Sequence, residues 1–262
     1  TDHAARLQRS CERLAIPPIP LAQCVEQWRA LVRHEQPYMP DDPHTGIYLR
    51  PLIYGADAVL GARPSTTFGL VVLGLHASFD ARRRFEVLVT RHYVRTTPGG
   101  IGMAKTPGNY GAAMLAQQAA RAKGCDQVLW LDAARRRWVE ELVSMNVGFI
   151  LDGVLVTPPL TDTILAGVTR QSILELAREH QLETEERPVA LEELTAAMVW
   201  GGLQEAFACS TGVGIASIRA LHIDDDRREL PAATPVSDRL RELLSECQHG
   251  RNPRHADWLV KA

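Results

Sequence analysis

Lys105 sits in a setting unusual for a surface lysine, within Arg95-Thr96-Thr97-Pro98-Gly99-Gly100-Ile101-Gly102-Met103-Ala104-Lys105-Thr106-Pro107-Gly108-Asn109-Tyr110. Glycines let a backbone fold tightly and come close to a ligand, and Pro98 and Pro107 stiffen the approach. An amine held on such a loop and partly desolvated loses its charge readily, which is what an imine-forming nucleophile requires. Three further patterns carry chemistry. Glu140 and Glu141 are adjacent, so on a strand only one of them can face a site. Gly167-Val168-Thr169 precedes a helical run, and a helix starting there turns free N–H groups and its positive dipole end toward an anion. Tyr48 and Arg50 lie two apart in an alternating stretch, which puts them on one side of a strand.

The lysine loop resembles that of the branched-chain amino acid aminotransferases, pyridoxal-phosphate (PLP) enzymes of fold type IV. The resemblance continues through Gly124-Cys125-Asp126-Gln127-Val128-Leu129-Trp130-Leu131-Asp132 and Val139-Glu140-Glu141-Leu142. It resumes at Met145-Asn146, Val156-Thr157-Pro158-Pro159-Leu160 and Gly167-Val168-Thr169-Arg170-Gln171-Ser172. It implies that Lys105 forms the Schiff base with PLP and then shuttles a proton. Glu141 would hold the ring nitrogen, which leaves Glu140 exposed. Tyr110 would bond the phenolate oxygen, while Arg6, the Val168 and Thr169 amides and Thr211 would bind the phosphate. Tyr48, Arg50, Ser144 and Gly212 would border the substrate. No metal is implied.

The resemblance also implies an α/β (α+β) chain with a two-domain fold type IV architecture: a small domain over 1–75, a linker over 76–83 and a large PLP-binding domain over 84–262. The family normally has several strands ahead of the segment matching 2–14, so the small domain is expected to be shortened. The expected reaction moves the amino group of a branched-chain or other aliphatic L-amino acid to 2-oxoglutarate, in a cytoplasmic homodimer or higher homo-oligomer. Substrate-side turns depart from the family: Ser210-Thr211-Gly212 replaces Gly-Thr-Ala, Leu142-Val143-Ser144 precedes Met-Asn, and Pro107-Gly108 precedes Asn-Tyr. These changes keep open an alternative, a fold type IV PLP enzyme of specialised metabolism with another substrate or reaction, such as a lyase.

The elements that must position these residues are read from periodicity and punctuation. Helices are expected over 2–14, 21–34, 111–123, 171–180, 191–200 and 236–247. Strands are expected over 46–55, 67–75, 128–131, 138–142, 146–151, 154–157, 205–209 and 215–223, with a hairpin turn at Asp152-Gly153 and a loop over 37–44. At 262 residues the chain suits one large or two modest domains, and its 45% hydrophobic and 23% charged residues are ordinary for a globular protein. A formal net charge of -2 offers nucleic acid or an anionic membrane no electrostatic attraction. Five cysteines without a CxxC pair read as reduced thiols, Cys209 as a packed one. No GxGxxG lies between a strand and a helix, which argues against a dinucleotide cofactor.

Overall fold

The computed structural model describes residues 1–40, 42, 45–78 and 83–261, which fall into two units. The first comprises Thr1–Asp80 with Arg254–Ala262. Its helices are α1 (Asp2–Arg13) and α2 (Leu21–Glu35), the second followed by a 3-10 turn at Gln36–Tyr38. Two long strands, β1 (Thr45–Gly55) and β2 (Phe68–Ser78), pair antiparallel, with Tyr48 opposite Leu75 and Arg50 opposite Leu73. Because β2 runs to Ser78, the first residues of the expected linker are strand. Residues 79–82 of that linker, and 41, 43 and 44 of the expected loop, lie outside the described residues.

The second unit, Ala81–Pro253, is built on a sheet. In chain order its elements are β3 (Phe85–Thr90), α3 (Pro107–Ala122), β4 (Gln127–Leu131), β5 (Val139–Leu142), β6 (Asn146–Leu151), β7 (Val154–Thr157) and α4 (Val168–Glu179). After these come β8 (Thr184–Glu186), α5 (Leu191–Trp200), β9 (Leu203–Ser210), β10 (Gly214–Ile223), β11 (Asp226–Glu229) and α6 (Pro235–Gln248). The strand order is β5-β4-β3-β10-β9-β6-β7-β8, with β11 paired to β10. β3 runs parallel to both its neighbours, β4 and β10.

Both faces of this sheet are covered. Val87 and Val89 of β3 join a cluster with Leu129, Leu142, Phe149, Leu194 and Leu221, whereas Leu88 joins Val128, Trp130 and the alanines of α3. Burying a Leu, Ile or Phe side chain contributes about 1.5–3 kcal/mol over leaving it exposed, so the sheet is a firm base for what its edges carry. The sequence reading omits β3, β8 and β11. Parallel strands buried on both faces lack the polar/apolar alternation that marks half-buried strands, and β8 and β11 are only three and four residues long. Two helices start earlier than expected, α3 with Pro107 in its first turn and α4 at Val168. Proline suits a first helical turn, where its missing N–H needs no partner.

Candidate active site

The candidate site begins with Glu141 on the short strand β5. Its side chain is almost wholly buried, and Arg95 Nε lies 3.0 Å from its Oε1. The Arg95 Nε–H is aligned on no acceptor among the described residues, so the contact is a charge pair more than a directed hydrogen bond. Asn146 Nδ2 donates to Glu141 Oε2 at 3.0 Å and the Leu165 N–H donates to Oε1 at 3.3 Å. Burial outweighs these partners and pushes the Glu141 carboxyl up to about 8. Arg95, the Leu165 N–H and Lys105 oppose that shift, and Glu140 adds to it.

Glu140 differs from expectation. It is 7% exposed, not a solvated strand charge. The Thr163 hydroxyl donates to its Oε1 at 2.6 Å, and its Oε2 is buried without a partner. Alternation along β5 does send the two carboxyls to different sides, but the loop after β7 wraps that edge and covers both. Burial raises the Glu140 carboxyl above its usual range, against the Thr163 hydrogen bond and the Arg95 charge.

Arg95 joins the lysine loop to this carboxylate pair. It is buried, and its terminal nitrogens donate to the carbonyls of Gly102 and Thr163 at 2.8–3.1 Å. Asn109, at the start of α3, donates to Ile101 O and Ala104 O, which pins the backbone on the N-terminal side of Lys105. Met103 N donates to Asp162 O, and Gly99 N to Asp162 Oδ2. A Cβ on Gly102 would stand 2.6 Å from Thr163 O, so only glycine allows the two loops this approach. Lys105 itself is exposed, not partly desolvated as expected, because the loop turns it outward. Its Nζ donates to the Tyr110 hydroxyl at 3.1 Å.

The anion-facing end lies at α4. Gly167 caps that helix, and among the described residues its start, at Val168 and Thr169, has no side-chain cap hydrogen bond. A Cβ on Gly167 would stand 2.0 Å from Asn146 Oδ1, so the amide that holds Glu141 also packs against this cap. Asn146 pairs with Cys209 near the end of β9, and Thr211 and Gly212 form the turn that follows. Ser144 is exposed in the turn between β5 and β6. Cys209 is buried, and burial pushes its thiol up to about 12, as befits a packed, unreactive cysteine.

Arg6, Tyr48 and Arg50 belong to the first unit. Arg6 lies on α1 with its guanidinium 3.4 Å from His3 Nδ1. Tyr48 and Arg50 share one side of β1, the Arg50 guanidinium carbon 5.4 Å from the Tyr48 ring centre. Arg95, Asn146 and Thr163 were not singled out from the sequence. The available signal was an arginine closing a polar segment and opening a glycine- and proline-rich loop, where a long charged side chain has few partners nearby.

A family model described as amino-transferase class IV matches residues 1–221. The chain is 34% identical over 262 residues to branched-chain-amino-acid transaminase 1 of Bacillus subtilis (strain 168), covering 98% of this chain and 74% of that protein. It is 37% identical to a probable branched-chain-amino-acid aminotransferase of Streptomyces coelicolor, covering 98% and 73%. Among solved structures it is similar to a branched-chain amino acid aminotransferase mutant from Thermobaculum terrenum, with a TM-score of 0.85 and 26% identity over 99% of this chain and 80% of that one. The Thermobaculum terrenum enzyme in its PLP-bound holo form has a TM-score of 0.83 and 28% identity, covering 99% and 81%.

Proposed function

The chain belongs to the amino-transferase class IV family, and from that premise we propose that it moves the amino group of a branched-chain L-amino acid to 2-oxoglutarate. It is a PLP-dependent transaminase of fold type IV. The observation that carries the reading is the buried Glu141 held by Arg95 and Asn146, with Lys105 among the charges that act on it.

The residues fit PLP on three counts. A buried carboxyl kept in place by a guanidinium suits a ring nitrogen that must stay protonated. An amine beside a tyrosine hydroxyl suits an aldehyde next to a phenol. A helix start without a side-chain cap suits a phosphate. When bound, PLP supplies that aldehyde and an electron-withdrawing ring that stabilises negative charge on the substrate Cα.

The remaining steps belong to the protein. Lys105 Nζ would hold the aldehyde end of the cofactor, and its amine is the group that would take the proton from the substrate Cα. Tyr110 orients the phenolate edge through its hydroxyl. Glu141 would keep a proton on the cofactor's ring nitrogen, and Arg95 holds Glu141 in place. The Val168 and Thr169 amides, with Thr211, would take the phosphate, and Ser144 and Gly212 would border the substrate; the family resemblance alone assigns Arg6 to the phosphate and Tyr48 and Arg50 to the substrate. Amino acid and 2-oxo acid substrates follow from the family. A homodimer or higher homo-oligomer in the cytoplasm belongs to the same proposal. Among the described residues no helix is long and apolar enough to cross a membrane.

The altered turns at 142–144 and 210–212 do not favour another reaction over this one, since the relatives described above are named for branched-chain transamination. The test is to incubate purified protein and PLP with leucine, isoleucine or valine and 2-oxoglutarate. Glutamate should form with at least one donor. Visible cofactor binding with no glutamate from any of them would refute the substrate assignment.

A further inference from the structure

We propose that Glu140 is a positioning residue of the cofactor site: as a hydrogen-bond acceptor for the Thr163 hydroxyl, it fixes the 161–167 loop that supports Glu141 and leads into the phosphate-facing start of α4. The inference rests on the reading of this site as a PLP cradle and concerns a residue given no part in it above.

The geometry is that of one loop gripped by two neighbouring carboxyls. Glu140 takes the side chain of Thr163 at 2.6 Å, and Glu141 takes the backbone N–H of Leu165 at 3.3 Å. Between and beside these points, Thr163 O receives Arg95 at 2.8 Å and Leu165 O receives Asn146 at 3.0 Å. Two residues later Gly167 caps α4 against Asn146 Oδ1. A shift of Thr163 therefore moves an Arg95 acceptor, a Glu141 donor and the first amides of α4 together. The Thr161 hydroxyl also meets that of Thr163, at 2.9 Å, so the loop is braced internally on the same oxygen.

Glu140 serves as an acceptor and not as a needed charge. Its Oε2 is buried with no donor against it among the described residues, whereas a carboxylate contributing its charge would have both oxygens served. The Arg95 guanidinium sits at Glu141 and two carbonyls instead. Burial raises the Glu140 carboxyl, in keeping with that division of labour.

The test is equilibrium binding of PLP to the cofactor-free protein, read by cofactor absorbance after dialysis, with thermal unfolding of each cofactor-free variant alongside. Thr163→Val removes the hydroxyl at nearly constant volume, and Glu140→Ala removes the acceptor. Each should weaken PLP binding about ten-fold, and Glu140→Gln should recover most of what Glu140→Ala loses. Unchanged affinity in Thr163→Val, whatever its melting temperature, would overturn the proposal, and that arm decides the matter if Glu140→Ala does not fold. A Glu140→Gln variant as weak as Glu140→Ala would overturn the acceptor role. Absence of PLP binding by the unaltered protein would instead overturn the underlying reading of the site.

Discussion

A carboxyl at Glu141 and an amine at Lys105 divide the work, and each can be removed singly. Lys105→Ala should abolish both the visible absorbance of the bound cofactor and glutamate formation while leaving the fold intact, because the lysine is exposed. Glu141→Gln keeps the shape but cannot ionise against the ring nitrogen, and should lower turnover by roughly a hundred-fold or more, the scale seen when a preorganised electrostatic group is lost. The same variant has a signature without cofactor. Folded Glu141 holds its proton up to about 8, against an ordinary 4.5. Between those values the folded protein keeps a proton that the unfolded chain releases, so this group's contribution to stability is full below pH 4.5 and is lost as pH rises through about 8. Melting temperatures of the cofactor-free protein should therefore fall relative to those of Glu141→Gln across that range. Parallel pH profiles would show that Glu141 does not carry the shift. At this scale Lys105, Tyr110 and Glu141 can be singled out in the sequence because neighbouring motifs mark them. Arg95 and the burial of Glu140 were not, because both depend on the loop carrying Thr163, 68 residues from Arg95 and 23 from Glu140, which folds back over β5.

Elements decide how closely those residues meet. The start of α4, the Asn146 end of β6 and the 161–167 loop converge where Gly167 leaves no room for a side chain. Gly167→Ala should displace Asn146 from Glu141, costing about 1–3 kcal/mol of stability through overpacking and weakening PLP binding in an absorbance titration. Wild-type affinity would mean that the cap and the carboxylate are not coupled. The helices and hairpin strands of this region could be read from periodicity and from the Asp152-Gly153 turn. β3 could not, since burial on both faces erases alternation. Periodicity places this helix over 171–180, whereas α4 starts at Val168, because glycine and a β-branched pair stand where an Asp or Ser cap would announce a helix. That absent cap is what leaves the amides available.

For the whole molecule, the family's fold and cofactor were legible from motifs spread along the chain, because PLP enzymes of this type must present amine, carboxyl and anion site from distant segments. Substrate choice was not legible, because two of the residues proposed for its border, Ser144 and Gly212, lie in short connections with little to constrain them, Ser144 being exposed. A homo-oligomer should elute at a multiple of 29.0 kDa in size-exclusion chromatography with light scattering, and a monomer mass would refute that part of the proposal. The central claim is that one amine of this chain meets the cofactor. The chain has three lysines, Lys105, Lys123 and Lys261, so borohydride reduction of the PLP-loaded protein followed by peptide mass spectrometry reads the answer directly. The account predicts the phosphopyridoxyl mass on the peptide carrying Lys105 alone; label on Lys123 or Lys261, with Lys105 unmodified, would contradict it.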